Sequence, residues 1–187
     1  LGGGAQLFSR DIPLRALKAG ITANSYNVNA DWFQSHVRNV RMDADFMTFS
    51  DDNVRSALSA TDREHLYASK AFGFDGLLGL AGSQNSKDEY RPYFNPRADA
   101  QGTIGGQLTQ PLYQTDTITY DHHLEVKPGV YWQQYYGSSP AITADYGQHV
   151  NYANVLDTSL DVIFNRQDSD GAPENSMTLL LNMSKTF

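Results

Sequence analysis

Apolar and polar residues alternate along almost the whole chain. Val40, Met42, Ala44 and Phe46 interleave with Arg41, Asp43, Asp45 and Met47. Phe72, Phe74 and Leu78 alternate with Gly73, Asp75 and Gly79, and Leu124, Val126, Val130 and Trp132 alternate with His123, Glu125, Lys127 and Tyr131. Leu156, Leu160, Val162 and Phe164 do the same against Asp157, Ser159, Asp161 and Ile163. At the end, Met177, Leu179, Leu181, Met183 and Phe187 interleave with Thr178, Asn182, Ser184 and Thr186, with Leu180 and Lys185 as the exceptions. Successive side chains of an extended strand point to opposite faces, so each run is a strand with one oily and one wet face. Helical periodicity is nearly absent: Asp62–Phe72 matches a short amphipathic helix, and it reads as well as a strand.

Turn-forming clusters separate the runs at Ser50–Asn53, Ser83–Pro96, Tyr136–Pro140 and Gln167–Asn175. Between them the pattern predicts roughly nine or ten strands of about 9–14 residues, long for a soluble sheet and suited to a tilted membrane strand. Without crossover helices the pairing is an antiparallel meander. The chain therefore reads as all-β, a single domain over residues 1–187 with no internal repeat or linker. A soluble sandwich and an antiparallel up-and-down transmembrane β-barrel share this alternation. Strand length favours the barrel. So do the aromatics near strand ends, Trp32, Phe33, Trp132, Tyr135, Tyr136, Tyr146 and Tyr152, because Trp and Tyr gather at membrane–water interfaces.

No run approaches the roughly 20 apolar residues of a membrane helix. The mean hydropathy of −0.49 excludes a helical membrane protein but not a barrel, whose strands need be oily only at alternate positions. There is no cysteine, so neither disulfides nor thiol chemistry enters, and the start, Leu1–Phe8, carries no signal-peptide pattern. A net charge of −7 argues against nucleic acid as a partner, because phosphate binding needs a basic face, and it suits a cationic or neutral ligand.

Two resemblances follow from particular residues. Asn175–Phe187, an alternating strand closing on a phenylalanine, resembles the C-terminal signal read by the barrel-assembly machinery of bacterial outer membranes. It implies that Phe187 is an assembly signal, with Lys185 departing from the usual apolar choice. Further, Ile12–Ser25, Phe49–Arg55, Arg91–Pro96, Trp132–Gly137 and Asp145–Asp157, in this order, resemble the C-terminal barrel of the outer-membrane porins that export poly-β-1,6-N-acetyl-D-glucosamine, a biofilm exopolysaccharide. The resemblance covers about Ala5 to Phe187. It implies an outer-membrane location, contact with outer-membrane lipid, and a periplasmic deacetylase and inner-membrane synthase as partners upstream. In that family a helical-repeat region precedes a barrel of about sixteen strands. The repeat region and the first strands have no counterpart in this sequence, so the chain is expected to be part of a larger barrel or to close as a smaller one.

Catalytic chemistry finds little support. No G-x-S-x-G elbow occurs. His122 and His123 are neighbours and face opposite ways on a strand, and His36, His65 and His149 lack ligand spacing, so neither a metal nor another cofactor is expected. Asp51-Asp52-Asn53 lacks the glycine and distal glutamate of a calcium loop and reads as a turn. By alternation, Asp43, Asp45, Asp75, Glu125, Asp145, Asp157 and Asp161 fall on the wet face, with Arg41 and Lys127 as partial balance. In a barrel they line the lumen. There they are solvated surface charge, or an electronegative track for a partly de-N-acetylated, partly cationic polysaccharide. Phe49, Tyr93 and Tyr131 are candidate aromatic contacts for sugar, and the proline-bearing segment Ser83–Pro96 is a candidate constriction. The expected function is export of that polymer without chemistry. Export of another exopolysaccharide such as cellulose, a soluble sugar-binding β-sheet module, and an outer-membrane enzyme are the alternatives.

Overall fold

The computed structural model describes residues 2–6, 14–87, 93, 95–153 and 155–186. Among the described residues, ten strands form one sheet whose spatial order is the chain order. They are β1 (Gly2–Gln6), β2 (Ala23–Phe33), β3 (Arg38–Phe49), β4 (Val54–Ala68), β5 (Gly73–Asn85), β6 (Ala98–Gln114), β7 (Ile118–Gln133), β8 (Gly137–Tyr152), β9 (Leu156–Ser169) and β10 (Ala172–Lys185), with one short helix α1 (Leu14–Lys18). Every neighbouring pair is antiparallel. This is the up-and-down meander that the alternation predicts, and the segment Asp62–Phe72, read two ways, lies in β4 and the turn after it.

Several strands outrun expectation: β6 has 17 residues, and β7 and β8 have 16 each. Pairing continues through residues whose composition marks a turn. The break at Gln167–Asn175 shrinks to Asp170-Gly171, both at positive φ (52° and 77°), the backbone that a tight two-residue hairpin demands. The break at Tyr136–Pro140 moves to residues 134–136, and Gly137–Pro140 pairs as β8. Ser83–Asn85 likewise completes β5.

The sheet curls into a trough. Asp45 on β3 and Gln167 on β9 line one cavity. At about 4.8 Å per strand they would lie roughly 29 Å apart in a flat sheet. Along β7 the residues from Leu124 to Gln133 alternate strictly between exposed and shielded, with Leu124, Val126, Val130 and Trp132 exposed and Glu125, Lys127, Tyr131 and Gln133 shielded. The shielded set is the concave face. The convex face carries Leu78, Leu80, Ile104, Met177 and Leu179, exposed at 47, 58, 68, 77 and 67%. Such an expanse of apolar surface is a membrane-facing surface, not a water-facing one. The strand-end aromatics Trp32, Tyr135, Tyr136 and Tyr152 are more than half exposed, so no sandwich core covers them. This sets aside the soluble sheet module.

What core exists is small and sits inside the trough at one end. Ala16 of α1, Ala23, Phe49 and Tyr93 are buried together, flanked by Ile21 and Met47. Strand approach is tightest at Gly105, where a Cβ would collide with the Val126 carbonyl oxygen and the Lys127 backbone. The β6–β7 ladder lapses at this level beside Pro128, which has no N–H to give. Gly105→Val is expected to cost about 1–3 kcal/mol, because backbone cannot swing aside as a side chain can. Urea unfolding of the full-length protein in lipid vesicles, against a Leu78→Val control, checks this.

Candidate functional site

Register places all seven predicted acids on the concave face. Asp43 and Asp45 stand opposite Asn29 and Asn27 on β2. One row crosses five strands: His65 on β4 opposite Asp75 on β5, then Gln107 on β6, Glu125 on β7 and Asp145 on β8. The next row holds His123, Gly147 and Asp161, and Asp157 lies four residues along β9 from Asp161, opposite Asn151. The same register adds four acids that the alternation reading passed over, Asp31, Asp99, Asp121 and Glu174.

Most of these carboxylates have partners. Lys127 Nζ lies 2.5 Å from Glu125, and Arg63 bridges Asp75 (3.8 Å) and Glu125 (3.7 Å). Arg41 pairs with Asp43 at 2.8 Å and reaches Asp31 at 4.0 Å. His65 Nδ1 sits 2.5 Å from Asp75, and His149 lies between Asp121 (3.3 Å) and Asp157 (2.9 Å). His123 stands 3.8 Å from Asp145 and 3.9 Å from Asp161. Arg41 and Lys127 were expected as balance. Arg63 and the three inward histidines were not, since each meets its acids across strands. His122 faces outward against Tyr146 (ring centroids 5.8 Å apart, edge-on), so the two adjacent histidines do part company.

Asp45, Arg55, Ser83, Asp99, Tyr131 and Gln167 line a cavity of about 330 Å³ in the trough. Asp99 is its anchor: it accepts from the Ser83 backbone N–H (3.0 Å), the Ser83 hydroxyl (2.7 Å) and the Tyr131 hydroxyl (3.2 Å). Tyr131 is 5% exposed and offers the cavity little of its ring face. Phe49 and Tyr93, 7% and 5% exposed, stack on each other at 5.1 Å and 21°. The rings expected as sugar platforms are thus mostly covered.

Asn53, fully buried, ties this stack to the loop between β5 and β6. Its Nδ2 donates to Asn85 Oδ1 (3.1 Å), Tyr93 Oη (3.1 Å) and Asn95 Oδ1 (2.7 Å). Asp51 accepts from the Asn53 N–H and from Tyr93, so the Asp51–Asn53 motif is a turn that holds the loop inward. Of the candidate constriction, residues 88–92 and 94 lie outside the described residues, as does Phe187 with its expected assembly role.

Comparison with known proteins agrees with this architecture. The poly-beta-1,6-N-acetyl-D-glucosamine export protein of Escherichia coli (strain K12) is 26% identical over 187 residues, which is all of this chain and 23% of that protein. The protein of the same name from E. coli O157:H7 matches equally. The chain thus spans about a quarter of the curated relatives it matches. A solved structure described as a bacterial polysaccharide outer membrane secretin superposes with a TM-score of 0.92 at 27% identity, covering 99% of this chain and 64% of that one. An apolar convex face, an up-and-down meander and these matches together place the chain in the bacterial outer membrane. The family model of the PgaA membrane beta barrel domain matches residues 1–187, and the chain belongs to that family.

Proposed function

We propose that this chain forms part of the wall of an outer-membrane porin that exports partly de-N-acetylated poly-β-1,6-N-acetyl-D-glucosamine during biofilm formation. The observation that carries the reading is the sorting of faces: lipid-compatible residues on the convex side, carboxylates on the concave side. The relatives' name supplies the polymer class. The free amines of a partly deacetylated polymer are protonated at neutral pH. Acids on a confined wall raise its local concentration, and acids already shared with Arg, Lys and His hold it weakly, as passage requires. No bond is made or broken. We extend the proposal to the surroundings: the remaining strands and a periplasmic helical-repeat region come from the rest of the protein, the barrel-assembly machinery inserts it through a signal ending at Phe187, and a periplasmic deacetylase and inner-membrane synthase supply the polymer. Phe49 and Tyr93 contribute as the wall of a constriction, Tyr131 as the rim of the Asp99 cavity.

Single-channel recording of the full-length protein in planar bilayers tests this. Chitosan-type cationic oligosaccharides are expected to block the wild-type pore in a voltage-dependent manner, with block several-fold weaker in Asp45→Asn/Asp99→Asn. Equal block by neutral cello-oligosaccharides would favour a neutral polymer, and an open pore indifferent to both would remove the substrate claim.

A further inference from the structure

Three successive strands bring one chelating side chain each to a single point on the concave face: His123 from β7, Asp145 from β8 and Asp161 from β9. One ligand atom of each lies within 4.8 Å of the others. The His123 Nε2 contacts, 3.8 Å to Asp145 Oδ2 and 3.9 Å to Asp161 Oδ1, exceed hydrogen-bond length, so the three groups face one another around a gap. These separations lie a few tenths of an ångström beyond the roughly 3.3–3.6 Å edge of a tetrahedron with metal–ligand bonds of about 2.0–2.2 Å, so small side-chain rotations bring the three groups onto one ion.

Two observations accompany this convergence. Asp145 faces His123 through Oδ2, and its other oxygen, Oδ1, is shut off from solvent with no hydrogen-bond partner, so this carboxylate is under-satisfied unless something positive meets it. Gly147 is the register partner of both His123 and Asp161, and a Cβ there would collide with His123 Cε1 and Asp161 Oδ1. Glycine therefore opens the space into which both side chains converge. The neighbouring strong cations are engaged elsewhere, Lys127 on Glu125 and Arg63 on Asp75 and Glu125. Ser159 Oγ lies 3.4 Å from Asp161 Oδ2 and helps to orient that carboxylate.

We propose that His123, Asp145 and Asp161 form a divalent transition-metal site on the lumenal wall. One imidazole with two carboxylates suits zinc or a similar borderline ion, since magnesium and calcium take oxygen ligands. The expectation of no metal weighed ligands close in sequence, whereas these three converge only through the register of β7, β8 and β9. Bound metal pins these strands together. On the export reading above it also takes negative charge out of the track, so metal occupancy slows passage.

Zinc titration of the full-length protein in detergent micelles, by calorimetry with excess magnesium present, tests the site without any sugar. One zinc per chain is expected. His123→Ala and the near-isosteric Asp161→Asn should each weaken binding by roughly tenfold or more. Gly147→Ser, which keeps every ligand and fills the gap, should weaken it too. Cobalt in place of zinc should give a visible ligand-field spectrum that is lost in the same variants. Heat-modifiable migration on gels establishes that each variant is folded. No zinc uptake by the wild type, or uptake unchanged in folded His123→Ala and Asp161→Asn, overturns the proposal. Either result leaves the sugar-block experiment to judge the export reading separately.

Discussion

Glu125→Gln is expected to lower the cation-to-anion permeability ratio of the full-length pore by roughly three- to tenfold, more than any other single neutralisation on this wall. Glu125 is the shared anion of a cluster: Lys127 touches it at 2.5 Å and Arg63 at 3.7 Å, and its side chain is 12% exposed. Loss of its charge removes the anion that Lys127 touches, leaves Arg63 to Asp75, and turns a near-neutral cluster positive. A unit charge at about 4 Å is worth about 4 kcal/mol at an effective dielectric of 20, and screening by salt in an open lumen cuts this to roughly 1 kcal/mol. That corresponds to about fivefold, since 1.4 kcal/mol is tenfold. The stability cost is about 1–2 kcal/mol, below the 3–5 kcal/mol of a fully buried broken pair, because the Lys127 and Arg63 side chains remain 30% and 50% exposed. Asp43→Asn is the comparison. Asp43 sits against Arg41 alone among strong cations at short range, in a more exposed setting, and its neutralisation should move selectivity less. Reversal potentials across a potassium chloride gradient measure both. An unchanged reversal potential in Glu125→Gln would mean that ions pass away from this part of the wall.

The alternation made the faces legible for a simple reason. A period of two is a backbone property, and it survives unless a bulge intervenes. The two register shifts fall in β4, between His65 and Tyr67, and in β6, between Pro111 and Tyr113. Neither strand carries one of the seven predicted acids, so none changed face. Partners were not legible. Arg63 finds Glu125 across two intervening strands, β5 and β6, and His123 finds Asp161 across β8, distances along the chain over which no local pattern speaks. The covering of the expected aromatic platforms has a related cause. Phe49 does lie on the inner face, but α1 and the β5–β6 loop fold over it, and neither belongs to the sheet's alternation. Turn boundaries were overextended because Asp, Ser, Gly and Pro mark a turn's neighbourhood. The hairpin itself needs only two residues at positive φ, as Asp170-Gly171 shows.

Asn53→Ala should free the β5–β6 loop from the trough and raise unitary conductance while leaving the barrel assembled. The side chain is a fully buried knot between the β3–β4 turn and the described residues of that loop, beside the Tyr93–Asp51 hydrogen bond. Its amide nitrogen has two hydrogens for three acceptors, on Asn85, Tyr93 and Asn95, and its oxygen accepts from Ser86 Oγ and the Lys87 N–H at 3.3 Å each. Truncation leaves those groups unsatisfied at about 1–3 kcal/mol apiece if they stay buried. Lifting the loop lets water satisfy them, so that route is cheaper, and it takes Tyr93 off Phe49, at the cost of their stacked contact. The total loss settles at about 2–4 kcal/mol and is confined to this end, because the ladders of β7, β8 and β9 share none of these bonds. Asn53→Asp should act more strongly: it removes both donors and places a second carboxylate near Asp51, which already accepts from Tyr93. Faster proteolysis in the loop, together with higher conductance, would establish Ser83–Pro96 as a constriction held by a hydrogen-bond latch. A loop made protease-sensitive with conductance unchanged would show that the latch is real but closes nothing.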